Sequence, residues 1–286
     1  MFVPTHDERV SYALWRRQEE KPFAYGPCVV VARIAVGSAG PLLTEKTSKT
    51  IFFLSTTNKK LMWLFNSSIG RKVLMSLTGI CLILFLTFHM AMNVVALFSG
   101  EAYNVICEML GANWYAVVAT LGLAALAVVH IVYAFILTMQ NKAARGGERY
   151  AVTDKPGKVE WASQNMLVLG LIVIVGLLVH LYNFWAKMML VELMHADGMD
   201  KAADGAYWIQ QTFSCGGYVV LYLVWIAALW FHLTHGFWSA LQTLGLNGKT
   251  WFCRWKVIGI AYVTLLCLGF AAVVVRFYLG SVFGCC

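Results

Sequence analysis

Five stretches of this chain, near 73–98, 114–139, 166–190, 216–241 and 257–280, stay apolar over a length that can cross a lipid bilayer. A crossing takes about 20 residues at a rise of about 1.5 Å each. Charge is nearly absent inside these stretches, with only Lys187 and Arg276 lying near their ends. In hydrocarbon a backbone must satisfy its own polar groups, so each stretch is expected to be a helix. The expected fold is an all-α membrane protein with five transmembrane helices. Composition points the same way. Of 286 residues, 60% are apolar and 13% charged, whereas soluble domains carry about 25% charged residues. A soluble enzyme, a nucleic-acid-binding module and a disordered tail are thereby excluded.

The connectors carry the orientation. The formal net charge is +8, and it is unevenly placed. Residues 140–160 hold Lys142, Arg145, Arg149, Lys155 and Lys158 against three acids, and 242–256 hold Lys249, Arg254 and Lys256 with none. The other two connectors are acidic: 99–113 carry Glu101 and Glu108, and 191–206 carry four acids against Lys201. Basic loops remain in the cytoplasm, so the N-terminal side is expected inside and the C-terminus outside. Tryptophan and tyrosine mark the expected interfaces, among them Trp63, Trp114, Trp185, Trp208 and Trp251, as an aromatic belt does. Residues 1–61 differ from the rest, with four of the five prolines and no long apolar run. They read as a gene-model extension or a flexible cytoplasmic arm ahead of a membrane domain at 62–286. The eight cysteines form no C-x-x-C, so no disulfide framework, zinc site or covalent haem attachment is indicated.

Histidine placement is the chemically informative feature. Of seven histidines, His89, His130, His180, His232 and His235 fall inside the first four spans. An ionisable ring in hydrocarbon is costly and marks function once its partner is named. One ring bonded to a helix carbonyl would be unremarkable packing; one in each of four consecutive spans is not. Counted from the span ends, His89 and His180 share a level near the outer side, and His130 and His232 a level near the inner side. The two levels are expected about 10 Å apart. Two facing imidazoles at one depth suit axial ligation of a haem iron, so the first four helices are expected to form a haem-binding bundle. Zinc would require further ligands, and the spans contain no carboxylate to serve it or a proton relay. His235 lies one turn from His232 and is the alternative fourth ligand or a neighbour of a haem carboxylate. Gly236, four residues after His232, leaves room for a flat macrocycle.

Four short motifs carry a resemblance: Ser76-Leu-Thr-Gly79 with Phe88-His89-Met90, His130-Ile-Val-Tyr133, His180-Leu-Tyr182, and Phe231-His232-Leu-Thr-His-Gly236 with Phe237-Trp-Ser239. Together, in this order, they resemble the single-subunit, five-helix, two-haem cytochrome b anchor of succinate:quinone oxidoreductases and quinol:fumarate reductases. The resemblance spans about 62–286. It implies two b haems, the outer held by His89 and His180 and the inner by His130 and His232. It implies a bacterial cytoplasmic membrane and a subunit that is not catalytic alone. A flavoprotein subunit would interconvert succinate and fumarate, and an iron–sulfur subunit would exchange electrons with the inner haem. Arg71, Lys72 and the basic 142–158 loop face the side on which that partner docks, although inside-positive topology alone also accounts for them.

Quinone is the implied membrane substrate, with menaquinone expected on the resemblance alone. Glu108, then Glu101, is the nearest candidate for the family's acidic residue near the start of span two; an ordinary loop carboxylate is the competing reading. Ser76 and Gln164 match positions that hydrogen-bond inner haem carboxylates, and helix packing is the competing reading for both. Where some family members carry a glutamate two positions before the fourth ligand, this chain has Trp230, which puts a proton route there in doubt. The alternatives are the cytochrome b anchor of a formate dehydrogenase or hydrogenase, and a transporter or scaffold without redox function.

Overall fold

A computed structural model describes residues 67–144, 161–246, 248 and 250–284. The expected arm at 1–61, with His6, lies outside the described residues, as does the basic segment 145–160. In chain order the helices are α1 (Ser68–Val95), α2 (Gly100–Met109), α3 (Trp114–Ala144), α4 (Trp161–Gln164), α5 (Met166–His180), α6 (Met189–Met194), α7 (Gly205–Phe213), α8 (Gly216–Thr243) and α9 (Trp251–Phe283). A π-helical turn, Leu181–Trp185, extends α5, and a 3-10 turn, Met199–Lys201, precedes α7. No strand occurs among the described residues. Five helices are long and apolar enough to cross a membrane: α1, α3, α5 with its π turn, α8 and α9.

The spans run a few residues past the apolar limits expected from the sequence, because helix ends obey capping rather than hydropathy. Ser67 begins α1 by accepting from the Gly70 N–H at 2.9 Å, which satisfies one of the first turn's free donors. Beyond Val95 the chain turns, and Ser99 caps α2 through the Ala102 N–H at 3.1 Å. At the far end α9 stops at Gly284, whose φ of 64° places it in the left-handed region, where a residue without Cβ ends a helix cheaply.

Packing is uneven around the bundle. Helix α8 is central: it packs against α9, α1 and α5. Helix α1 packs against α3, α8 and α9. Helix α3 packs extensively only on α1 and buries a single residue, Ala116. In the four-helix group α1, α3, α5 and α8, the sides α1–α3, α1–α8 and α5–α8 are therefore closed. The diagonal pairs, α1 with α5 and α3 with α8, share no such extensive backbone contact.

The core lies on the α1–α8–α9 side, around Ile83, Ile226, Val263 and Leu266. Small residues let these helices approach, as in membrane interfaces generally. A Cβ on Gly259 would fall 2.5 Å from Phe237, and one on Gly269 would fall 2.7 Å from Met90. Outward-facing apolar side chains such as Leu84, Val128, Val175 and Leu268 form the surface that lipid would cover.

One end of the bundle is capped by α2, α6 and α7. Asn104 joins α2 to α7, donating to Asp204 at 2.8 Å and accepting from the Ala206 N–H at 2.9 Å. Asp204 also caps α7 through the Tyr207 N–H at 3.0 Å. Glu192 of α6 accepts from the Ala112 N–H at 3.0 Å, just ahead of α3. Between α2 and α7, Cys107 lies so close to Gly205 that a Cβ there would fall 2.3 Å from its sulfur. Burial pushes the Cys107 thiol up to about 11. Because the thiolate is the reactive form, alkylation of Cys107 in detergent at pH 8 is expected to be at least tenfold slower than that of exposed Cys215. Its rate should keep climbing with pH towards 11. Equal rates at pH 8, read by mass spectrometry, would show the α2–α7 contact to be open.

Candidate functional site

The His89 ring enters from α1 and the His180 ring from the end of α5, diagonally across the four-helix group. They meet with ring centroids 5.8 Å apart and planes at 86°. Backbones that do not pack closely are thus joined by two imidazoles. Aromatic rings enclose the pair: Phe85 stacks on His89 at 5.5 Å and Phe270 of α9 lies at 5.8 Å. On the other side Phe184, Trp225 and Tyr222 lie 5.1, 5.6 and 6.2 Å from His180.

The π turn contributes to this enclosure. Its wider hydrogen bonding, seen in the Ala186 N–H donating to Leu181 at 2.8 Å, rotates the residues that follow His180. Asn183 turns inward, 1% exposed, and donates to the Tyr222 hydroxyl at 3.3 Å. π turns recur where a helix places functional side chains.

His130 of α3 and His232 of α8 form the second group, again from a diagonal pair of helices. The two rings interact electrostatically, and His235 lies within reach of His232 as well. Local contacts orient the His130 ring. Its Nδ1 lies 3.1 Å from the Thr78 hydroxyl, which has Leu74 and Met75 carbonyls at 2.9 and 3.0 Å to donate to. The Met75 carbonyl also accepts from this ring. Thr78 thus holds the Nδ1 edge of the His130 ring against α1. Gly79 and Gly170 provide space: Cβ atoms there would fall 3.3 Å from His130 and 3.8 Å from His232.

Buried polar atoms without hydrogen-bond partners are uncommon in proteins. Among the described residues four side-chain atoms qualify: His180 Nδ1, His232 Nδ1, Arg71 Nε and Trp185 Nε1. Two of the four belong to the paired histidines. No group of three or more His, Cys, Asp or Glu side chains able to hold a metal ion gathers among the described residues. The described residues thus bring His89 to His180 and His130 towards His232 inside an apolar bundle.

The remaining sequence candidates divide. Ser76 is buried and donates to the Lys72 carbonyl at 2.9 Å, within its own helix. His235 packs edge-on against Trp238 at 5.1 Å. A Cβ on Gly236 would meet nothing within 4 Å, so that helix face is open. Gln164 ends α4 on an exposed surface, and Glu108 is exposed at the capped end. Trp230 donates to the Thr264 hydroxyl at 2.9 Å, which binds α8 to α9.

Along α8, Trp225, which packs on His180, and His232 are seven residues apart, about 10 Å of helix. Along α1 the separation is larger. Thr78, beside His130, and His89 are eleven residues apart, about 16 Å of helix. Sequence reading singles out Ser76, yet Thr78 is the residue that meets His130. It also passes over Asn93, whose side chain lies 3.5 Å from the His89 ring and bonds the His89 carbonyl at 2.8 Å. The i, i+4 spacing is the signal for Asn93; Thr78 has none, because its partner is 52 residues away.

No family model, no curated protein and no solved structure matches this chain.

Proposed function

We propose that the chain is the dihaem cytochrome b anchor of a succinate:quinone oxidoreductase or quinol:fumarate reductase, carrying electrons between an iron–sulfur subunit and membrane quinone. The observation that supports it most is the meeting of His89 and His180 at 5.8 Å across the bundle diagonal. Two imidazoles bonded to one atom at about 2 Å each would hold their centroids about 6 Å apart.

His89 and His180 would hold the outer haem, and His130 and His232 the inner one. A bound b haem supplies a one-electron couple with no proton or group transfer of its own. The chain's residues do the rest. Thr78 orients the His130 ring, the aromatic shell around His180 excludes water, and the apolar interior favours the less charged state of whatever sits between the rings. On this reading, basic residues at the uncapped end, Arg71 and Lys72 among them, would dock a soluble partner in the cytoplasm.

A reduced-minus-oxidised spectrum of the detergent-purified chain tests the reading, with two b-type haems per chain expected. A folded chain without haem, expressed with sufficient haem supply, would leave a transporter or scaffold instead. Co-purification with a flavin-bearing subunit that reduces fumarate or oxidises succinate separates this reading from a formate dehydrogenase or hydrogenase anchor.

A further inference from the structure

The two rings of the His89–His180 pair are held differently. His180 is enclosed by Phe184, Trp225 and Tyr222, and its buried Nδ1 has no hydrogen-bond partner. His89 has a polar neighbour one turn along α1: the Asn93 amide nitrogen lies 3.5 Å from both Nδ1 and Nε2 of the ring. A contact equidistant from the two nitrogens restrains where the ring lies without choosing which of them carries the hydrogen. The same amide nitrogen donates to the His89 carbonyl at 2.8 Å, so the side chain folds back over the turn that bears the ring.

Asn93 is in turn held from outside α1. Its Oδ1 accepts from the Tyr103 hydroxyl of α2 at 3.2 Å. A carbonyl only accepts, so the amide edge on the His89 carbonyl is the nitrogen and the edge on Tyr103 is the oxygen. Burial pushes the Tyr103 hydroxyl up from its ordinary value, which keeps it an O–H donor. Tyr103 is wedged under the start of α7: a Cβ on Gly205 would fall 2.7 Å from its ring and 2.3 Å from Cys107 Sγ. The next residue, Asn104, ties α2 to α7 through Asp204 and the Ala206 N–H. A chain of contacts thus runs from the start of α7 through Tyr103 and Asn93 to the His89 ring.

We propose that Asn93 is a positioning residue for His89 and that Tyr103 sets it, so that the α2–α7 cap fixes the angle of the His89 ring to His180. The tether stands on these contacts; what the ring pair holds rests on the haem reading. Phe85 stacks within 16° of the His89 plane and limits its tilt, while Asn93 meets the nitrogen-bearing end and limits its swing. Against His180 the outcome is two planes crossed at 86°. Outer groups that orient a ligating ring tune what it ligates, and the angle between two axial imidazole planes governs the magnetic anisotropy of a low-spin ferric ion.

The test compares full-length wild type, Asn93→Leu, Tyr103→Phe and the double variant in detergent, by haem content and by the electron-paramagnetic-resonance spectrum of the oxidised state. Asn93→Leu removes the amide at similar volume, and Tyr103→Phe keeps the ring under Gly205 and removes only the hydroxyl. Both single variants should retain two haems. The signal that His89→Ala abolishes should shift in its largest g value, and the other should not move. The double variant should shift no further than Asn93→Leu, because Tyr103 acts through Asn93. An unaltered spectrum in Asn93→Leu at full haem content would overturn the proposal and leave the haem reading intact, and equal shifts of both signals would overturn it as a general loosening of the bundle. A shift in Asn93→Leu without one in Tyr103→Phe would overturn the part given to Tyr103. If Asn93→Leu loses that haem, Tyr103→Phe carries the test, and an unchanged spectrum there overturns the proposal. A wild-type chain that binds no haem would overturn the haem reading alone. The tether is then read in the haem-free chain from the nuclear-magnetic-resonance signals of isotope-labelled histidine, where His89 resonances unmoved by Asn93→Leu would overturn it.

Discussion

His180→Ala is expected to lower the haem content from two per chain to one, and His89→Ala to remove the same haem. The two rings face one another across the diagonal of the bundle at 5.8 Å, so neither can hold a shared ligand alone. The double variant should then lose no more than either single one, because residues acting as a unit are not additive. His130→Ala and His232→Ala are expected to remove the other haem, to be told apart by its optical and electron-paramagnetic-resonance signals. His235→Ala should retain both, since its ring packs on Trp238. If His89→Ala and His130→Ala abolished the same signal, the diagonal pairing would be wrong however well the chain folded.

Gly176→Val is expected to produce the largest purely steric effect. A Cβ at Gly176 would lie 2.1 Å from Cδ1 of Trp225, far inside any real contact. Trp225 has little room to yield, because its indole donates to the Val173 carbonyl at 3.1 Å and its ring packs 5.6 Å from His180. Overpacking of this kind costs about 1–3 kcal/mol, and the strain falls on the aromatic wall behind His180. The thermal midpoint in detergent should drop by several degrees, and the outer haem should be lost preferentially while the inner one stays. Gly122→Val is the control: nothing lies within 4 Å of its Cβ position, so stability and haem content should be unchanged. Retention of both haems at full occupancy in Gly176→Val would show that the Trp225–His180 contact does not support the site.

Much of the fold is legible from hydropathy alone, because lipid imposes a length and a polarity that each crossing must meet. The five expected spans coincide with five apolar helices, differing at the ends where capping by Ser67 and the π turn after His180 act. Those features depend on local hydrogen bonds that a hydropathy window averages away. The candidate histidines are legible for a related reason: a polar ring in an otherwise apolar span has no inconspicuous explanation. Their environment is not. Thr78 meets His130 from a helix 52 positions away. Elsewhere, Arg71 and Trp185 read in sequence as surface charge and interfacial aromatic, and only the packed structure shows an N–H group of each buried without a partner.

The amino-acid sequence by itself determines that the chain has five stretches long and apolar enough to cross a membrane, and that four of them carry an imidazole. It does not determine which imidazoles meet. A helix apolar on every side carries no stripe to say which face turns towards its neighbours, and α3 and α5 are helices of that kind. That α1 lies diagonal to α5 and α3 to α8 emerges only from which helices pack together. Gly259 against Phe237 and Gly269 against Met90 draw α9 onto α8 and α1. That packing fixes the core to one side of the bundle and leaves the histidine rings to span the space between helices whose backbones do not pack together.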